Sequence, residues 1–393
     1  MTGSVLFHVQ HLLGIGHLQR SLRIAEALAG AGIAVTLVQG GPPVPEMAPA
    51  RGIDFVQLRP VRARDASFAL VDDAGYPVDD VLRAERREHL LATFHRVRPD
   101  AVVVEGFPFA RRAFRFELDP LIAAVRAARP RPHLFCSVRD IPTVRDDPQR
   151  RQEIVARVND EFDAVLVHGD PRFIPFEVPF PPAPQVAARL FYTGYVTSPA
   201  AASAEAGMPS GEVLVSVGGG AAGRMLLEAA LGARRLGILS ERPWRILAGA
   251  NVTDTAVAAL RAEASAGVAI ERFRADFPAL LRRCHVSVSQ AGYNTVLDIL
   301  AAGARAVLVP FAAERETEQR IRAEHLAALG AAELVREAEL SPSTLAAAID
   351  RAAARAPARL LLDTNGAERS ARLIAEMITG SAPRPFATGP AAV

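Results

Sequence analysis

Short apolar runs rich in Val, Ile and Leu alternate with segments of helical periodicity along most of the 393 residues. Apolar runs of about four to eight residues are typical of strands buried on both faces, with helices as the crossovers between them. The pattern therefore predicts an α/β protein with doubly wound parallel sheets. The predicted strands are 5–9, 34–38, 55–58, 101–105, 133–138, 164–168, 212–217, 244–247, 268–271, 285–289, 306–309 and 332–335.

The strand and helix pattern stops in mid-chain and then restarts. A proline-rich stretch and then small residues up to 211 separate the two halves, and such segments favour loops and linkers. We predict Rossmann-like domains over 1–197 and 212–380, a linker over 198–211 and a flexible tail over 381–393. Because parallel sheets bind ligands at the carboxyl ends of their strands, the two domains are predicted to face each other across a cleft.

Composition narrows the class of protein. Half of the residues are apolar, but no apolar run reaches the roughly 18–20 residues that a membrane-spanning helix needs. The first residues form a strand-like run and lack the pattern of an export signal. Cys136 and Cys284 each flank an apolar run, so we expect free thiols in a reducing cytoplasm.

Arginine supplies all of the basic side chains, since the sequence contains no lysine. This excludes a P-loop lysine and Schiff-base chemistry, including that of pyridoxal phosphate. The net charge of +2 is too small and too scattered to indicate nucleic-acid binding.

A glycine loop follows the first predicted strand, with the sequence Gly14-Ile15-Gly16-His17-Leu18-Gln19-Arg20. A dinucleotide fingerprint would require glycine at Gln19 and an acid near Gln39, so nicotinamide and flavin cofactors are disfavoured. The loop places His17 at a helix N-terminus, where the helix dipole disfavours imidazolium. We therefore expect a neutral His17 that can accept a proton; the alternative is a merely polar first-turn residue.

Two further glycine turns lie in the second half. The first contains Gly218, Gly219 and Gly220, whose small size lets backbone amides approach a ligand. The second is the more specific one: strand, glycine turn, helix and strand follow in order around Gln290–Asp298. Its helix N-terminus is suited to phosphate, and Asp298 would lie within reach of a sugar hydroxyl beside it.

These motifs resemble those of glycosyltransferases of GT-B architecture, most closely family 28. That family includes the enzyme that adds N-acetylglucosamine to the lipid-linked peptidoglycan precursor, together with related predicted glycosyltransferases. The resemblance covers nearly the whole chain, with its specific motifs at 14–20, 218–223 and 289–323. It implies an acceptor-side N-terminal domain and a C-terminal domain that binds a nucleotide-sugar, with UDP-sugar as the expected donor.

The resemblance also implies roles for individual residues. Asp298 stands where a carboxylate, usually glutamate, binds the ribose hydroxyls, and Arg274 stands where the backbone meets the uracil. Gly14 and Gly16 line the first loop, and Gly218–Gly220 line the cleft near the diphosphate. The positions expected at the diphosphate are Gly292, Tyr293, Asn294 and Thr295, and those expected at the donor sugar are Glu318 and Gln319.

The reaction implied is an inverting transfer to an acceptor. Because the chain contains no Asp-x-Asp triplet, the usual metal anchor of the other glycosyltransferase architecture, we expect no metal and no other cofactor. His17 is the candidate base, and Glu105, at the end of a strand, is the second candidate. Arg139-Asp140 also ends a strand and is a candidate acceptor contact. The acid pairs at 72–73, 79–80 and 146–147 are expected to be helix caps and solvated faces.

The acceptor is left open, and a lipid-linked and a small-molecule acceptor are both considered. The run Arg111–Phe116 mixes basic and aromatic residues, so peripheral contact with the inner face of the membrane and a solvated amphipathic helix are both possible interpretations. The glycine-histidine loop also resembles that of a UDP-sugar hydrolase of pseudaminic acid synthesis, where water replaces the acceptor. A non-catalytic nucleotide-sugar sensor is the third possibility.

Overall fold

Two compact units make up the part of the chain that the computed structural model describes. The first contains the described residues of Met1–Val196 and those from Leu362 onward, and the second contains those of Thr197–Leu361. The described residues are 3–12, 15–44, 47, 50–64, 69–142, 147–197, 210–217, 223–249, 252–274, 276–311, 317–357, 360 and 362–381. The predicted linker lies mostly outside them, and the predicted tail lies outside them after residue 381.

The first unit is built on a seven-stranded parallel sheet with the strand order β3-β2-β1-β6-β7-β8-β9. Strands β4 and β5 pair antiparallel in a separate two-stranded sheet. The strands are β1 Ser4–Val9, β2 Ala34–Gln39, β3 Ile53–Gln57, β4 Arg62–Ala63, β5 Leu70–Val71, β6 Ala101–Glu105, β7 His133–Arg139, β8 Ala164–His168 and β9 Leu190–Tyr192. The helices are α1 Gly16–Gly30, α2 Asp80–Val97, α3 Arg115–Ala127 and α4 Pro148–Glu161.

The second unit is built on a six-stranded parallel sheet with the order β12-β11-β10-β13-β14-β15. Its strands are β10 Val213–Ser216, β11 Trp244–Leu247, β12 Val268–Glu271, β13 Val286–Ser289, β14 Ala306–Leu308 and β15 Glu333–Leu334. Its helices are α5 Arg224–Ala233, α6 Asp254–Glu263, α7 Phe277–Arg283, α8 Tyr293–Ala302, α9 Glu318–Ala328 and α10 Pro342–Ala354. The predicted α/β class with two parallel sheets is confirmed.

Apolar side chains cover both faces of the first sheet. In β1, Leu6 packs into one buried cluster, while its neighbours Val5, Phe7 and Val9 pack into another. Successive side chains of a strand point to opposite faces, so an uninterrupted apolar run is what a strand between two helix layers requires. The apolar run of β1 therefore predicts a strand inside the sheet, covered on both faces.

Parallel pairing of β1 with β6 determines where the first site forms. His8 of β1 lies opposite Val104 of β6, so both strands end at the same edge of the sheet. The turn that leads from β1 into α1 therefore lies next to Glu105, the last residue of β6. The two segments are far apart in sequence, and the strand order brings them together.

The C-terminal helix α11, Gly366–Ile378, belongs to the first unit. The sequence-based domain boundaries placed it in the second domain, and this part of the prediction is wrong. Its apolar face, including Ala371 and Ile374, packs with α1 in a buried cluster of the first unit. Backbone bonds also tie the segment down: Tyr195 N donates to Asp363 O at 2.7 Å and Gly366 N to Tyr195 O at 3.0 Å.

Two of the predicted acidic helix caps are confirmed, whereas Asp72 and Asp73 lie in a turn. Asp79 accepts a hydrogen bond from Leu82 N at 2.8 Å and starts α2, and Asp147 accepts from Gln149 N at 3.0 Å and starts α4. These bonds satisfy amides that have no intrahelical acceptor. Asp146 lies outside the described residues.

A buried ion pair fixes the loops at the carboxyl edge of the first sheet. Arg86 donates to both oxygens of Glu117, at 2.8 and 2.7 Å, and both side chains are fully buried. The guanidinium also donates to Gly40 O at 2.8 Å and to Gln10 Oε1 at 2.8 Å. Burial raises the pKa of Glu117, but the attraction of Arg86 outweighs it and leaves the pKa below its usual range.

Replacing Glu117→Gln should destabilise the first unit by about 3–5 kcal/mol, because the Arg86 charge would stay buried without its counter-ion. Chemical denaturation of both proteins measures this difference. The matched control is Asp80→Ala, which removes an exposed ion pair with Arg83 and should cost less than about 1 kcal/mol. Equal effects of the two substitutions would contradict the assigned role of the buried pair.

Candidate functional site

A histidine–glutamate pair lies at the carboxyl edge of the first sheet. His17, in the first turn of α1, places Nδ1 2.6 Å from Glu105 Oε1. The Glu105 side chain is 1% exposed, whereas that of His17 is 23% exposed. An ionised carboxylate only accepts hydrogen bonds, so Nδ1 carries the proton and Nε2 carries the free lone pair. The structure thus brings together the two predicted catalytic residues.

Two arginines hold the same carboxylate in its ionised form. Arg20 Nη2 donates to Glu105 Oε1 at 2.5 Å, and Arg111 Nη2 lies 3.5 Å from Oε2. Burial raises the pKa of Glu105, but the attraction of His17, Arg111 and Arg20 outweighs it and leaves the pKa below its usual range. With both oxygens engaged, Glu105 is a poor proton acceptor and is suited to orienting His17.

His17 is neutral at pH 7, as the sequence predicts. Burial lowers its pKa to about 4; the attraction of Glu105 opposes this shift, and Arg111 and Arg139 reinforce it. The direction is the predicted one, but the main cause is desolvation and not the helix dipole. A neutral imidazole with Nδ1–H tied to a carboxylate presents Nε2 as a basic atom.

Several polar residues at this edge were not predicted as site residues. Arg20 lies one turn after His17 on the same helix face, a spacing that the sequence does show. Arg111 has a left-handed backbone, with φ of 61°. His11, which follows β1, is buried. Burial lowers its pKa, and the positive charge of Arg111 lowers it further. His11 and Arg111 are loop residues without periodicity, and the strand order brings them to the same edge.

The ends of β7 and β8 form a second buried polar group. His168 Nε2 lies 2.7 Å from Ser137 Oγ, and His168 Nδ1 lies 2.9 Å from Thr193 Oγ1. Burial lowers the pKa of His168 well below its ordinary value. Asp140, the predicted acceptor contact beside Arg139, is buried and accepts from Tyr195 Oη at 3.2 Å. These hydrogen bonds tie the ends of β7 and β8 to the residues that follow β9.

The basic and aromatic run 111–116 does not form the surface that a membrane contact through it would require. Phe114 is fully buried in the core, and Phe116 packs against the same cluster. With both aromatic rings turned inward, the run has no exposed aromatic side chain to insert into a lipid surface. Among the described residues, no helix combines the length and the apolar character needed to span a membrane.

In the second unit, a strand, a glycine turn and a helix follow in the predicted order around β13. Helix α8 begins at Tyr293, directly after Gly292, and no side chain caps it. Helix geometry leaves the first-turn amides without intrahelical acceptors. A Cβ on Gly292 would meet no described atom closer than Thr295 Oγ1 at 3.9 Å. Packing among the described residues therefore does not require glycine here, and the bare backbone leaves room for a ligand.

Side chains of helix α9 hold this turn in place by hydrogen bonds to its backbone. Gln319 Oε1 accepts from Ala291 N and from Phe311 N, each at 3.2 Å, and so joins the loops after β13 and β14. Arg322 Nη1 donates to Ala291 O at 2.9 Å, and its Nη2 donates to Glu318 Oε1 at 2.9 Å. The predicted donor-sugar residues Glu318 and Gln319 thus lie beside the predicted diphosphate turn. Both have structural partners there, and the Glu318 carboxylate is committed to a buried arginine.

Arg274 follows the edge strand β12, which β11 and β10 separate from β13 in the sheet order. Its guanidinium donates to both oxygens of Asp276 at 2.8 Å and approaches Glu271 at 3.3 Å. Asp276 raises its pKa above the ordinary value. The neighbouring Phe273 is 75% exposed. Arg274 thus lies at the carboxyl edge of the sheet but away from α8.

Some predicted positions lie outside the described residues, namely Gly14, Gly218, Gly219 and Gly220. Within the described part, no group of three or more His, Cys, Asp or Glu side chains is arranged to hold a metal ion. Cys136 and Cys284 are free thiols, as predicted. Burial raises the pKa of both, that of Cys284 to about 12, so neither is a reactive thiolate.

Comparison with known proteins links most of the second unit, together with most of helix α11 of the first, to a known domain. Residues 214–377 match the model of the glycosyltransferase family 28 C-terminal domain. Two curated relatives are UDP-N-acetylglucosamine--N-acetylmuramyl-(pentapeptide) pyrophosphoryl-undecaprenol N-acetylglucosamine transferases. That of Brucella canis is 36% identical over 107 residues, which are 26% of this chain and 28% of its own length. That of Nitrosococcus oceani is 37% identical over 140 residues, which are 35% of this chain and 38% of its own length.

Solved structures extend the similarity to the whole fold. MurG of Acinetobacter baumannii is 18% identical with a TM-score of 0.61, and covers 95% of this chain and 100% of its own. The calicheamicin glycosyltransferase CalG4 is 18% identical with a TM-score of 0.60, and the alignment covers 97% of this chain and 96% of CalG4. The resemblance found in the sequence is thereby confirmed. The chain has the GT-B fold of these glycosyltransferases, and its residues 214–377 match the C-terminal domain of family 28.

Proposed function

We propose that this chain transfers a sugar from a nucleotide diphosphate donor, a UDP-sugar in the first instance, to an acceptor hydroxyl with inversion. The observation that carries the proposal is the tethered imidazole. His17 Nδ1 is fixed by Glu105 at 2.6 Å, the ring is neutral, and part of the side chain is exposed. A base that is held in one tautomer and open to a ligand is what deprotonation of a hydroxyl requires.

In the proposed step, His17 Nε2 takes the proton of the acceptor hydroxyl. The oxygen forms a bond to the anomeric carbon while the bond from that carbon to the nucleotide diphosphate breaks, and the bonding electrons pass to the departing diphosphate oxygen. Attack opposite the leaving group inverts the anomeric configuration. Glu105 stays ionised throughout and stabilises the imidazolium that forms, because its charge lies next to Nδ1–H.

The donor is proposed to bind at the turn before α8. The uncapped first turn of this helix supplies amides and the positive end of a helix dipole, which stabilise the charge that develops on the diphosphate. We propose that this stabilisation suffices without a metal ion. Asp298, in the same helix, is proposed to bind the ribose, and the Gln319 amide nitrogen to face the sugar, because the Gln319 oxygen already accepts from two backbone amides.

The curated relatives suggest the first donor to test. Their names describe transfer of N-acetylglucosamine from its UDP derivative to a pyrophosphoryl-undecaprenol acceptor. We propose UDP-N-acetylglucosamine as the first donor candidate for this chain. The acceptor does not follow from these relatives, because the match covers 28% and 38% of their lengths.

Replacing His17→Ala should lower turnover by a factor on the order of 10²–10⁴, the usual effect of losing a general base. Release of the nucleotide diphosphate from the donor, with and without an acceptor pool, measures this effect. The matched control is His89→Ala on the exposed face of α2, which should leave the rate unchanged. EDTA should also leave the rate unchanged.

Other outcomes of this assay favour other functions. A loss of only a few fold on His17→Ala would rule out His17 as the base. Stoichiometric release of free sugar without an acceptor would favour a hydrolase, and donor binding without turnover in any acceptor pool would favour a sensor.

The rate should not depend on pH between about 7 and 5, and it should fall below that range as His17 becomes protonated. The rate falls toward low pH because the neutral imidazole is the active form. Since the pKa of His17 is lowered to about 4, this form persists well below the ordinary value of 6.5. The imidazole resonance of His17, assigned by its absence in His17→Ala, reports the midpoint. In Glu105→Gln the midpoint should fall further, because the Glu105 carboxylate raises this pKa. A midpoint near 6.5, or one that does not move, would contradict the pairing.

Asp298→Ala should weaken binding of the nucleotide diphosphate roughly tenfold or more, because hydrogen bonds from the ribose to a carboxylate would be lost. A thermal-shift screen of nucleotide diphosphates and their sugars measures this, since a ligand at 100 times its Kd stabilises the fold by about 2.7 kcal/mol. Asp298→Glu, which keeps the carboxylate, should retain binding, and Glu228→Ala, at an exposed position of α5, is the matched control. Unchanged binding in Asp298→Ala would refute the ribose role.

A further inference from the structure

The strongest unexplained feature of the first unit is the environment of Arg111. Its side chain is 9% exposed, and its Nη2 makes a long contact of 3.5 Å with Glu105 Oε2. Its buried Nε has no hydrogen-bond acceptor among the described residues. A buried guanidinium nitrogen without an acceptor is costly, because burial removes the water that would otherwise bind it. The described residues thus leave a buried donor of Arg111 available to a bound ligand.

Arg111 lies among several charged side chains. Arg20 and Arg111 both contact the carboxylate of Glu105. Arg139, at the end of β7, is close enough to lower the pKa of both His17 and Arg111. Besides burial, the charges that shift the pKa of Arg111 are thus one carboxylate, Glu105, and two guanidinium groups, Arg139 and Arg20. His11 and His17 add no further positive charge, since both have lowered pKa values and are neutral at pH 7.

The backbone holds Arg111 in this position. Its left-handed conformation, with φ of 61°, is uncommon for a residue other than glycine, asparagine or aspartate. Arg111 also precedes the short 3₁₀ turn Arg112–Phe114, and Phe114 anchors this turn in the core. The anchored turn and the left-handed backbone together keep the Arg111 side chain buried beside Glu105.

We propose that Arg111, together with Arg139, binds an oxyanion carried by the acceptor, a phosphate or a carboxylate, next to the hydroxyl that His17 deprotonates. The oxyanion supplies the acceptor that Arg111 Nε lacks among the described residues. Arg111 and His17 contact the two oxygens of the same Glu105 carboxylate, so the oxyanion and the reacting hydroxyl belong to one small region of the ligand. This inference rests on the proposed function, and it names the chemical class of the acceptor.

The test measures anion binding at His17 and does not depend on turnover. Inorganic phosphate and, in a separate arm, acetate are titrated into the full chain while the His17 imidazole resonance is followed. Either anion should shift the His17 resonance in a saturable way. The Arg111→Gln protein should bind that anion at least tenfold more weakly, since charge-assisted bonds to a guanidinium are among the strong ones. Arg112→Gln, at the exposed neighbouring position, is the matched control and should bind as the parent does.

The two arms distinguish the sources of the oxyanion. A response to phosphate alone indicates a phosphate-bearing acceptor, and a response to acetate alone indicates a carboxylate-bearing one. Arg139→Gln provides a second variant if Arg111→Gln does not fold, and it should also weaken binding. The proposal is overturned if neither anion shifts the His17 resonance, or if the folded variants bind as tightly as the parent.

Failure of the proposed function gives a different result. If no nucleotide diphosphate stabilises the chain but phosphate still binds beside His17 through Arg111, the transfer reaction is wrong and the oxyanion site stands. If nucleotide diphosphates bind at Asp298 but no anion binds at Arg111, the donor assignment stands and the acceptor class is wrong.

Discussion

The buried carboxylate of Glu105 is the constraint on which the first site depends. A carboxylate that is 1% exposed remains ionised only if neighbouring donors replace the water it has lost. These donors are His17 and Arg20, one turn apart on α1, and Arg111, which follows β6. The need to compensate one charge thus fixes the position of the imidazole, its tautomer and the placement of the two cations.

The second unit positions its turn by hydrogen bonds to the backbone. Gln319 joins the loops after β13 and β14 through one oxygen, and the buried Arg322 donates to the carbonyl of Ala291. Both side chains come from helix α9, and no described side chain caps the start of α8. Both units thus use the same strand–turn–helix element, the first around a buried carboxylate and the second around backbone contacts.

The sequence predicts well what depends on neighbouring residues and poorly what depends on the order of strands. The strand ending at Glu105, the cap at Asp79 and the glycine turn before α8 are local patterns, and the structure has them at the predicted positions. The contact between His17 and Glu105 joins residues 88 apart in the chain and exists because β6 lies beside β1. The packing of α11 on α1 is non-local in the same way, since nothing in the helix itself specifies which unit it joins.

The use of arginine throughout has a consequence for how the first site responds to pH. Burial and two neighbouring cations lower the pKa of Arg111, and a lysine in such a position would lose its proton readily. A guanidinium starts from so high a pKa that it stays charged. The positive centre is therefore permanent, while His17 is the group beside it that titrates within an accessible range. Binding of an oxyanion and acceptance of a proton can then be adjusted separately, because different side chains carry them.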